Sequence, residues 1–360
     1  MQRPCTLYPP MTHTATIHDL TGDAVLYRDL EPCDPALPRL ATLRARLGLP
    51  PGPPPRKRDA AYAHLILALA HTAQSARSGP PLAALAVLGD TDNDRLLAAH
   101  LRDASPLPSF GFIGEDRPVA AEAMTWQGDT ATATRWHLIA PWAAEVARRG
   151  GNLARAAILI DIDKTLLGPR GRSDGAIDDA RAEGAVAISN ALLLGRLDVP
   201  AFRRVYAELC LKPWHAFTLD NQDYVVAAAL LLATGAADLD TLRAELDDGT
   251  ASFPEFLAAT AHSVRPELTQ LHAELRIRVA EGDPTPFKAF RRAELTATLA
   301  RMADGRLTLC GDLFDLCRNL ADQGALLLAA SDKPAESALP TPEQLAIGML
   351  PLHRTPAIVD

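Results

Sequence analysis

The stretch AAILIDIDKT, residues 156–165, decides the fold, because a short apolar run ends abruptly at two aspartates separated by one residue. A wholly apolar run of this length is typical of a strand buried on both faces, as in a parallel α/β sheet. Asp161 and Asp163 then lie at the carboxyl end of the strand, where α/β proteins bind their ligands.

Two further strands of the same design are predicted elsewhere in the chain. Residues 82–88 are apolar and lead into GDTDND at 89–94, and residues 325–330 are apolar and lead into Ser331. Strands of this kind lie side by side in a parallel sheet, and their carboxyl ends share one edge. Such a sheet would bring together five side chains in one crevice: Asp90, Asp94, Asp161, Asp163 and Ser331.

The rest of the chain predicts a mainly helical protein with an α/β core, and a length of 360 residues favours two domains. Patterning places helices at 40–47, 60–76, 95–101, 136–149 and 313–323, and nearly continuous helix from 181 to 302. Further short strands are expected at 14–19, 24–28, 109–114 and 356–359. Residues 118–134 read as a loop, as do residues 169–180.

Composition excludes several classes of protein. A net charge of −8 argues against a general nucleic-acid binder, which needs a basic face. The longest apolar run, 225–237, is too short to span a bilayer, and residues 1–10 lack a signal-peptide pattern. The five cysteines form no zinc motif, so we expect reduced thiols and a soluble, cytoplasmic protein.

The residue types at the strand ends suit phosphoryl transfer. An aspartate can attack phosphorus and form an aspartyl-phosphate, and a second aspartate can protonate the leaving oxygen. Mg²⁺ would relieve the repulsion between carboxylates and phosphate, with Asp90 and Asp94 as suitable further ligands. A solvated Asp-rich turn is the alternative for residues 90–94. An EF-hand calcium loop fails there, because Arg95 replaces the required glycine.

These motifs resemble those of the haloacid dehalogenase-like (HAD) superfamily. Residues 161–165 resemble its motif I, residues 327–331 its motif II, and residues 88–94 its motif IV. Lys57 is expected to open the helix that precedes the strand at 82–88, and it resembles the lysine of motif III. The resemblance implies a Rossmann-like parallel sheet with a mainly α-helical cap.

The order of the motifs differs from that of the family, since III and IV precede I and II. A circular permutation explains this, because the termini of a domain often lie close together. We therefore predict a core formed by residues 1–118, 155–172 and 305–360, with residues 119–154 joining the former ends. Residues 173–304 are the predicted helical cap, placed between motifs I and II.

The resemblance also implies residue roles. Asp161 is the nucleophile and a metal ligand, and Asp163 is the acid/base and binds Mg²⁺ through its carbonyl. Asp90 and Asp94 are metal ligands. Lys57 is a catalytic residue that neutralises the nucleophile and the phosphate. Ser331 binds the transferring phosphoryl group, and Thr165 supports the motif I turn and binds phosphate. Lys333 competes with Lys57 for the lysine role, and Lys164 stands where the family usually has glycine.

The sequence thus predicts a Mg²⁺-dependent phosphatase that hydrolyses a small phosphorylated substrate through an aspartyl-phosphate on Asp161. Retention of the acidic motif IV and of the second aspartate favours phosphate chemistry over dehalogenation. Two alternatives stay open. One is a phosphotransferase or mutase on the same core, and the other is a non-catalytic protein that binds a phosphorylated ligand or a partner. Neither nucleic acid nor membrane is expected as a partner.

Overall fold

The computed structural model describes residues 13–360, so Cys5 and the segment 1–10 lie outside the described residues. The chain forms two compact units. One consists of residues up to Ile177 together with Leu299–Asp360, and the other of Asp178–Thr298. The second unit thus begins and ends a few residues inside the predicted bounds of 173 and 304.

The first unit contains a seven-stranded, mostly parallel sheet. The strands of the described residues are β1 (Thr14–Ala15), β2 (Val25–Leu26), β3 (Ala84–Gly89), β4 (Ser109–Gly114), β5 (Met124–Gln127), β6 (Thr130–Ala133), β7 (Ala156–Ile160), β8 (Leu326–Ala330) and β9 (Ala357–Ile358). The order in the sheet is β2-β8-β7-β3-β4-β6-β5, and only β5 runs antiparallel to its neighbour. Strands β1 and β9 pair separately, as an antiparallel ribbon.

Helices cover the sheet and build the second unit. They are α1 (His18–Thr21), α2 (Leu40–Leu47), α3 (Ala60–Ala76), α4 (Asp92–Ala104), α5 (Ile139–Arg148), α6 (Gly175–Leu192), α7 (Val199–Leu209), α8 (His215–Thr218), α9 (Gln222–Ala233), α10 (Leu239–Asp247), α11 (Phe253–Thr260), α12 (Thr269–Ala280), α13 (Lys288–Ala303), α14 (Gly311–Gln323) and α15 (Pro342–Ala346). None of the described helices is long and apolar enough to cross a membrane.

The sheet is the middle layer of an α/β fold of Rossmann-like type. Alternate strand residues such as Val87, Leu159 and Leu328 pack in one buried cluster with α2, α3 and α4. Helix α14 contacts α1, α5 and strand β8, and α1 also contacts β8. Because both faces are covered, the central strands are apolar at every position, as the sequence predicted.

The three motif-bearing strands are neighbours in the sheet. β7 lies between β8 and β3, with Ile158 opposite Leu327 on one side and Ala86 on the other. The prediction that these strands are adjacent is confirmed. Their carboxyl ends therefore lie at one edge of the sheet, in one unit of the chain.

The predicted loop at 118–134 is wrong, since this segment contains the hairpin β5–β6, which extends the sheet beyond β4. The two-residue turn begins at Gly128, whose φ of +59° favours glycine. The strands are short and rich in threonine, so no apolar run marks them. Alternating residues around a Gly-Asp pair were the available signal.

Near the start of the described chain, the predicted strand at 14–19 is also wrong beyond Ala15. Strand β1 has two residues and α1 follows from His18. The second predicted strand, 24–28, is limited to β2. By contrast, the predictions for 60–76, 109–114 and 156–160 match the observed bounds of α3, β4 and β7.

The second unit is helical throughout and has a hydrophobic core of its own. Trp214, Phe253 and Phe290 are among its fully buried side chains. A buried ion pair joins Arg291 Nε to Asp223 Oδ2 at 2.6 Å. The close approach of α6 to α13 requires Gly184, because a Cβ there would lie 2.7 Å from the backbone nitrogen of Glu294.

Candidate active site

Asp161 occupies the first position after β7, at the centre of the sheet. Its main-chain nitrogen donates to Leu88 O on β3 at 2.8 Å, so the parallel ladder itself fixes the residue. The chain then turns, with Leu166 N donating to Asp161 O at 3.2 Å. The carboxylate is buried and lies at the carboxyl edge of the sheet.

Lys57 is a buried cation shared by two of the aspartates. Its ammonium donates to Asp94 Oδ1 at 2.8 Å and forms an ion pair with Asp161 Oδ1. The residue lies in the loop before α3 rather than opening that helix, which corrects the prediction of its position. Burial opposes its charge, but Asp161 and Asp94 raise the pKa of Lys57 well above its usual range.

Thr165 links Asp161 to Asp90. Its hydroxyl lies 3.0 Å from Asp161 Oδ2 and 3.2 Å from Asp90 Oδ1. A hydroxyl carries a single proton, so it can donate to only one of these oxygens at a time. Asp90 Oδ1 and Asp161 Oδ2 therefore face the same space. At any moment, at least one of them receives no hydrogen bond from Thr165.

Asp94 is fixed by the start of helix α4. Its Oδ2 accepts from Thr91 Oγ1 at 2.7 Å and from Thr91 N at 3.2 Å, in a capping box. The carboxylate packs against Gly89, where a Cβ would lie 2.3 Å from Asp94 Cγ. The glycine before Asp90 is thus required by the close approach of the helix to the strand.

Asp163 and Ser331 form the other side of the site. Lys333 Nζ donates to Asp163 Oδ2 at 2.9 Å, and Lys333 N donates to Ser331 Oγ at 3.0 Å. Asp163 Oδ1 is buried and has no hydrogen-bond partner among the described residues. This oxygen can therefore accept a hydrogen bond from a ligand that enters the site.

The two lysines that competed for one role in the sequence occupy different places. Lys57 contacts Asp161 and Asp94, whereas Lys333 contacts Asp163. Lys164, by comparison, adopts a φ of +64°, in the left-handed region that glycine enters at no steric cost. The turn after Asp163 therefore explains why glycine suits this position.

The described residues contain one group of three carboxylates that could hold a metal ion: Asp90, Asp94 and Asp161 each offer an oxygen within 4.8 Å of the others. Burial raises the pKa of Asp161 well above its usual range despite Lys57, and burial together with Asp94 raises that of Asp90 to about 6. A bound cation would offset the cost of burying these carboxylates and the repulsion between them. An all-oxygen set suits a hard divalent ion such as Mg²⁺, so the residues fit the predicted ion.

Arg170 also lies at the site, although the sequence placed it only in a loop that could line the hinge of the predicted cap. Its Nε donates to Asp90 Oδ2 at 2.6 Å, and its Nη2 contacts the same oxygen. Arg172, two residues on, binds Asp116 Oδ2 at 2.8 Å and Asp312 Oδ2 at 2.6 Å. Two arginines directly after an acidic strand-end motif were the available signal, although the loop itself read as solvated.

Of the seven predicted side chains, direct contacts link Lys57, Asp90, Asp94, Asp161 and Thr165. Asp163 and Ser331 are each hydrogen-bonded to Lys333. In the helical unit, Trp214 is part of the hydrophobic core and His262 is exposed. Comparison of the chain with protein-family models, with curated proteins and with solved structures finds no match. The functional argument therefore depends on the geometry of these residues.

Proposed function

We propose that this chain is a Mg²⁺-dependent phosphatase of the HAD type that hydrolyses a small phosphate monoester through an aspartyl-phosphate on Asp161. One observation carries the proposal. Three motifs that are far apart in the sequence follow three neighbouring parallel strands, and Asp161 lies on the middle one. This adjacency supports the proposal, because it brings the three motifs to one edge of the sheet.

The residues suggest the following steps. An Asp161 oxygen attacks phosphorus while the bond to the leaving oxygen breaks, and Asp163 Oδ1 donates a proton to that oxygen. In the second step water attacks phosphorus, Asp163 takes up its proton, and Asp161 leaves as the free carboxylate. Lys57 balances the charge of Asp161, and Ser331 binds a phosphoryl oxygen.

Mg²⁺, held by Asp90, Asp94 and Asp161, would neutralise charge on the phosphoryl oxygens. In the proposal the carbonyl of Asp163 completes the protein ligands. The helical unit 178–298 is the proposed cap, and its insertion in the chain between motif I and motif II supports this role. A phosphotransferase would use the same first step and differ only in the acceptor of the second.

The decisive experiment measures release of p-nitrophenol from p-nitrophenyl phosphate by the wild-type protein, Asp161→Asn and Asp103→Asn, with Mg²⁺ or with EDTA. Asp103 is an exposed aspartate on α4 and serves as the matched control. We expect activity in the wild type and in Asp103→Asn only with Mg²⁺, and none in Asp161→Asn. Acid-quenched protein should carry a phosphate adduct on the peptide that contains Asp161. Equal activity in all three proteins would refute the nucleophile assignment.

A further inference from the structure

Arg170 treats the two oxygens of Asp90 differently. Two of its nitrogens, Nε and Nη2, bind Oδ2. The other oxygen, Oδ1, faces the Thr165 hydroxyl and, across it, Asp161 Oδ2. The guanidinium therefore fixes the rotation of the carboxylate and leaves Oδ1 turned toward the centre of the site.

The main chain of Arg170 is itself firmly held. Its nitrogen donates to Lys164 O at 2.9 Å, and its carbonyl accepts from Asp116 N at 2.9 Å and from Trp136 Nε1 at 3.0 Å. Only glycine fits at the next position, since Gly171 has a φ of +85° and a Cβ there would lie 2.0 Å from Asp116 O. Such backbone support is what a residue needs in order to orient another residue accurately.

Asp90 requires this orientation because of where it lies. Its side chain is 2% exposed and shares the site with the carboxylates of Asp94 and Asp161. Groups that hydrogen-bond to a metal-binding carboxylate generally fix its geometry and strengthen its binding of the ion.

We propose that Arg170 is a positioning residue of the metal site, which holds Asp90 so that Oδ1 is preorganised to bind a divalent cation. This inference rests on the proposed function, because it takes Asp90 as a ligand. The opposite role, competition with the cation for Asp90, is disfavoured because both contacts of the guanidinium are made to Oδ2. The two roles predict opposite changes in cation affinity when the arginine is removed. Loss of a positioning residue weakens binding, whereas loss of a competitor strengthens it.

The test is direct titration of the full chain with Mn²⁺, followed by electron paramagnetic resonance, for the wild type, Arg170→Gln, Arg170→Lys and Arg354→Gln. Arg354 is a matched control, since its Nε and Nη2 bind Asp23 at 3.0 and 2.5 Å and Asp23 is not one of the three carboxylates. We expect Arg170→Gln to bind Mn²⁺ about 10–100-fold more weakly than the wild type. Arg170→Lys should bind Mn²⁺ with intermediate affinity, because lysine keeps the positive charge but cannot contact Asp90 through two nitrogens. Arg354→Gln should bind as the wild type does.

Unchanged or tighter Mn²⁺ binding by Arg170→Gln would overturn the inference. Circular dichroism in EDTA checks that the variant is folded. If it is not, Arg170→Lys decides alone, with weaker binding in favour and unchanged binding against. If only the inference about Arg170 is wrong, the wild type will still bind Mn²⁺ and Asp161→Asn will still be inactive. A wild-type protein that binds no Mn²⁺ would refute the metal site and the inference together.

Discussion

At the scale of single residues, the charge of Lys57 is important for the stability of the site. Its side chain is 4% exposed and lies between two carboxylates that are themselves buried. Removing one partner of a buried ion pair leaves an uncompensated charge, which costs far more than the pair contributes. The lysine therefore affects stability as well as catalysis.

We predict that Lys57→Met lowers the free energy of unfolding by about 3 kcal/mol in EDTA, because Asp94 and Asp161 lose their cation. The deficit should shrink with saturating Mg²⁺, which supplies the missing charge. Urea unfolding with and without Mg²⁺ measures both effects. Lys212→Met, at an exposed lysine, is the control and should differ little from the wild type. A Lys57 deficit independent of Mg²⁺ would contradict the shared-charge explanation.

Lys164 offers a test of backbone strain that is separate from side-chain contacts. Lys164→Gly and Lys164→Ala both remove the side chain, but only glycine adopts a φ of +64° at no steric cost. The glycine variant should therefore be about 1 kcal/mol more stable than the alanine variant. Urea midpoints of the two proteins give the comparison. Equal midpoints would show that the left-handed conformation carries no strain.

The sequence predicted which residues matter here better than it predicted how they pair. Asp161 and Asp90 could be found because acidic residues that follow apolar runs are a local pattern. The resemblance implied that Lys57 pairs with Asp161, but the contacts of Lys57 with Asp94 and of Lys333 with Asp163 could not be found from a local pattern. Those contacts depend on side-chain rotamers and on loops far apart in the chain.

At the scale of elements, the connection from β3 to α4 is closely packed. The helix starts so close to the strand that Gly89 touches the Asp94 side chain. Gly89 and the capping box of Thr91 together place Asp94 beside Lys57. The site therefore depends on a glycine that takes no part in its chemistry.

We predict that Gly89→Ala destabilises the protein by about 1–3 kcal/mol through overpacking. It should also weaken Mn²⁺ binding, because the added Cβ would lie 2.3 Å from Asp94 Cγ and displace the carboxylate. Urea unfolding in EDTA and Mn²⁺ titration measure the two effects. Gly175→Ala is the matched control, since a Cβ there has no atom within 4 Å. Similar behaviour of the two variants would rule out the steric explanation.

Elements with an unambiguous apolar pattern were predicted within a residue or two, as α3, β4 and β7 show. The hairpin β5–β6 was missed because each strand has four residues and is only partly apolar. Its pairing within the sheet, rather than its own composition, makes it a strand.

At the scale of the whole molecule, the two units have separate cores. All buried residues of the aromatic cluster that contains Phe253 and Phe290 lie within the helical unit. Its buried ion pairs also close within the unit, as for Arg291 with Asp223 and Glu294. A unit with its own core and satisfied charges can fold by itself.

We predict that residues 178–298 fold as an isolated fragment with a helical circular dichroism spectrum and a cooperative thermal transition. Phe253→Ala should lower the stability of this unit by about 3–5 kcal/mol in the fragment and in the full chain alike, because its contacts lie within one core. Chemical denaturation of the four proteins provides the measurement. A fragment without a cooperative transition would show that the helical unit depends on the rest of the chain.

The motif order predicted a rearranged chain, and the observed sheet has the strand adjacency which that order required. What the sequence did not indicate is how the first described strands are used. β1 pairs with β9, and β2 pairs with β8, so each joins a segment more than three hundred residues away. Contacts of such long range have no local pattern from which they could be read.

That pairing has a consequence for a ribosome making the protein. Residues 14–26 emerge early, but their partner strands are translated only after the whole helical unit. The edge of β7 that will receive β8 likewise stays open until residues 326–330 have been translated. Because exposed strand edges can pair with other chains, the nascent polypeptide passes through a long window in which it depends on dilution or on chaperones. Slowing translation downstream of residue 160 should therefore lower the soluble yield of this protein.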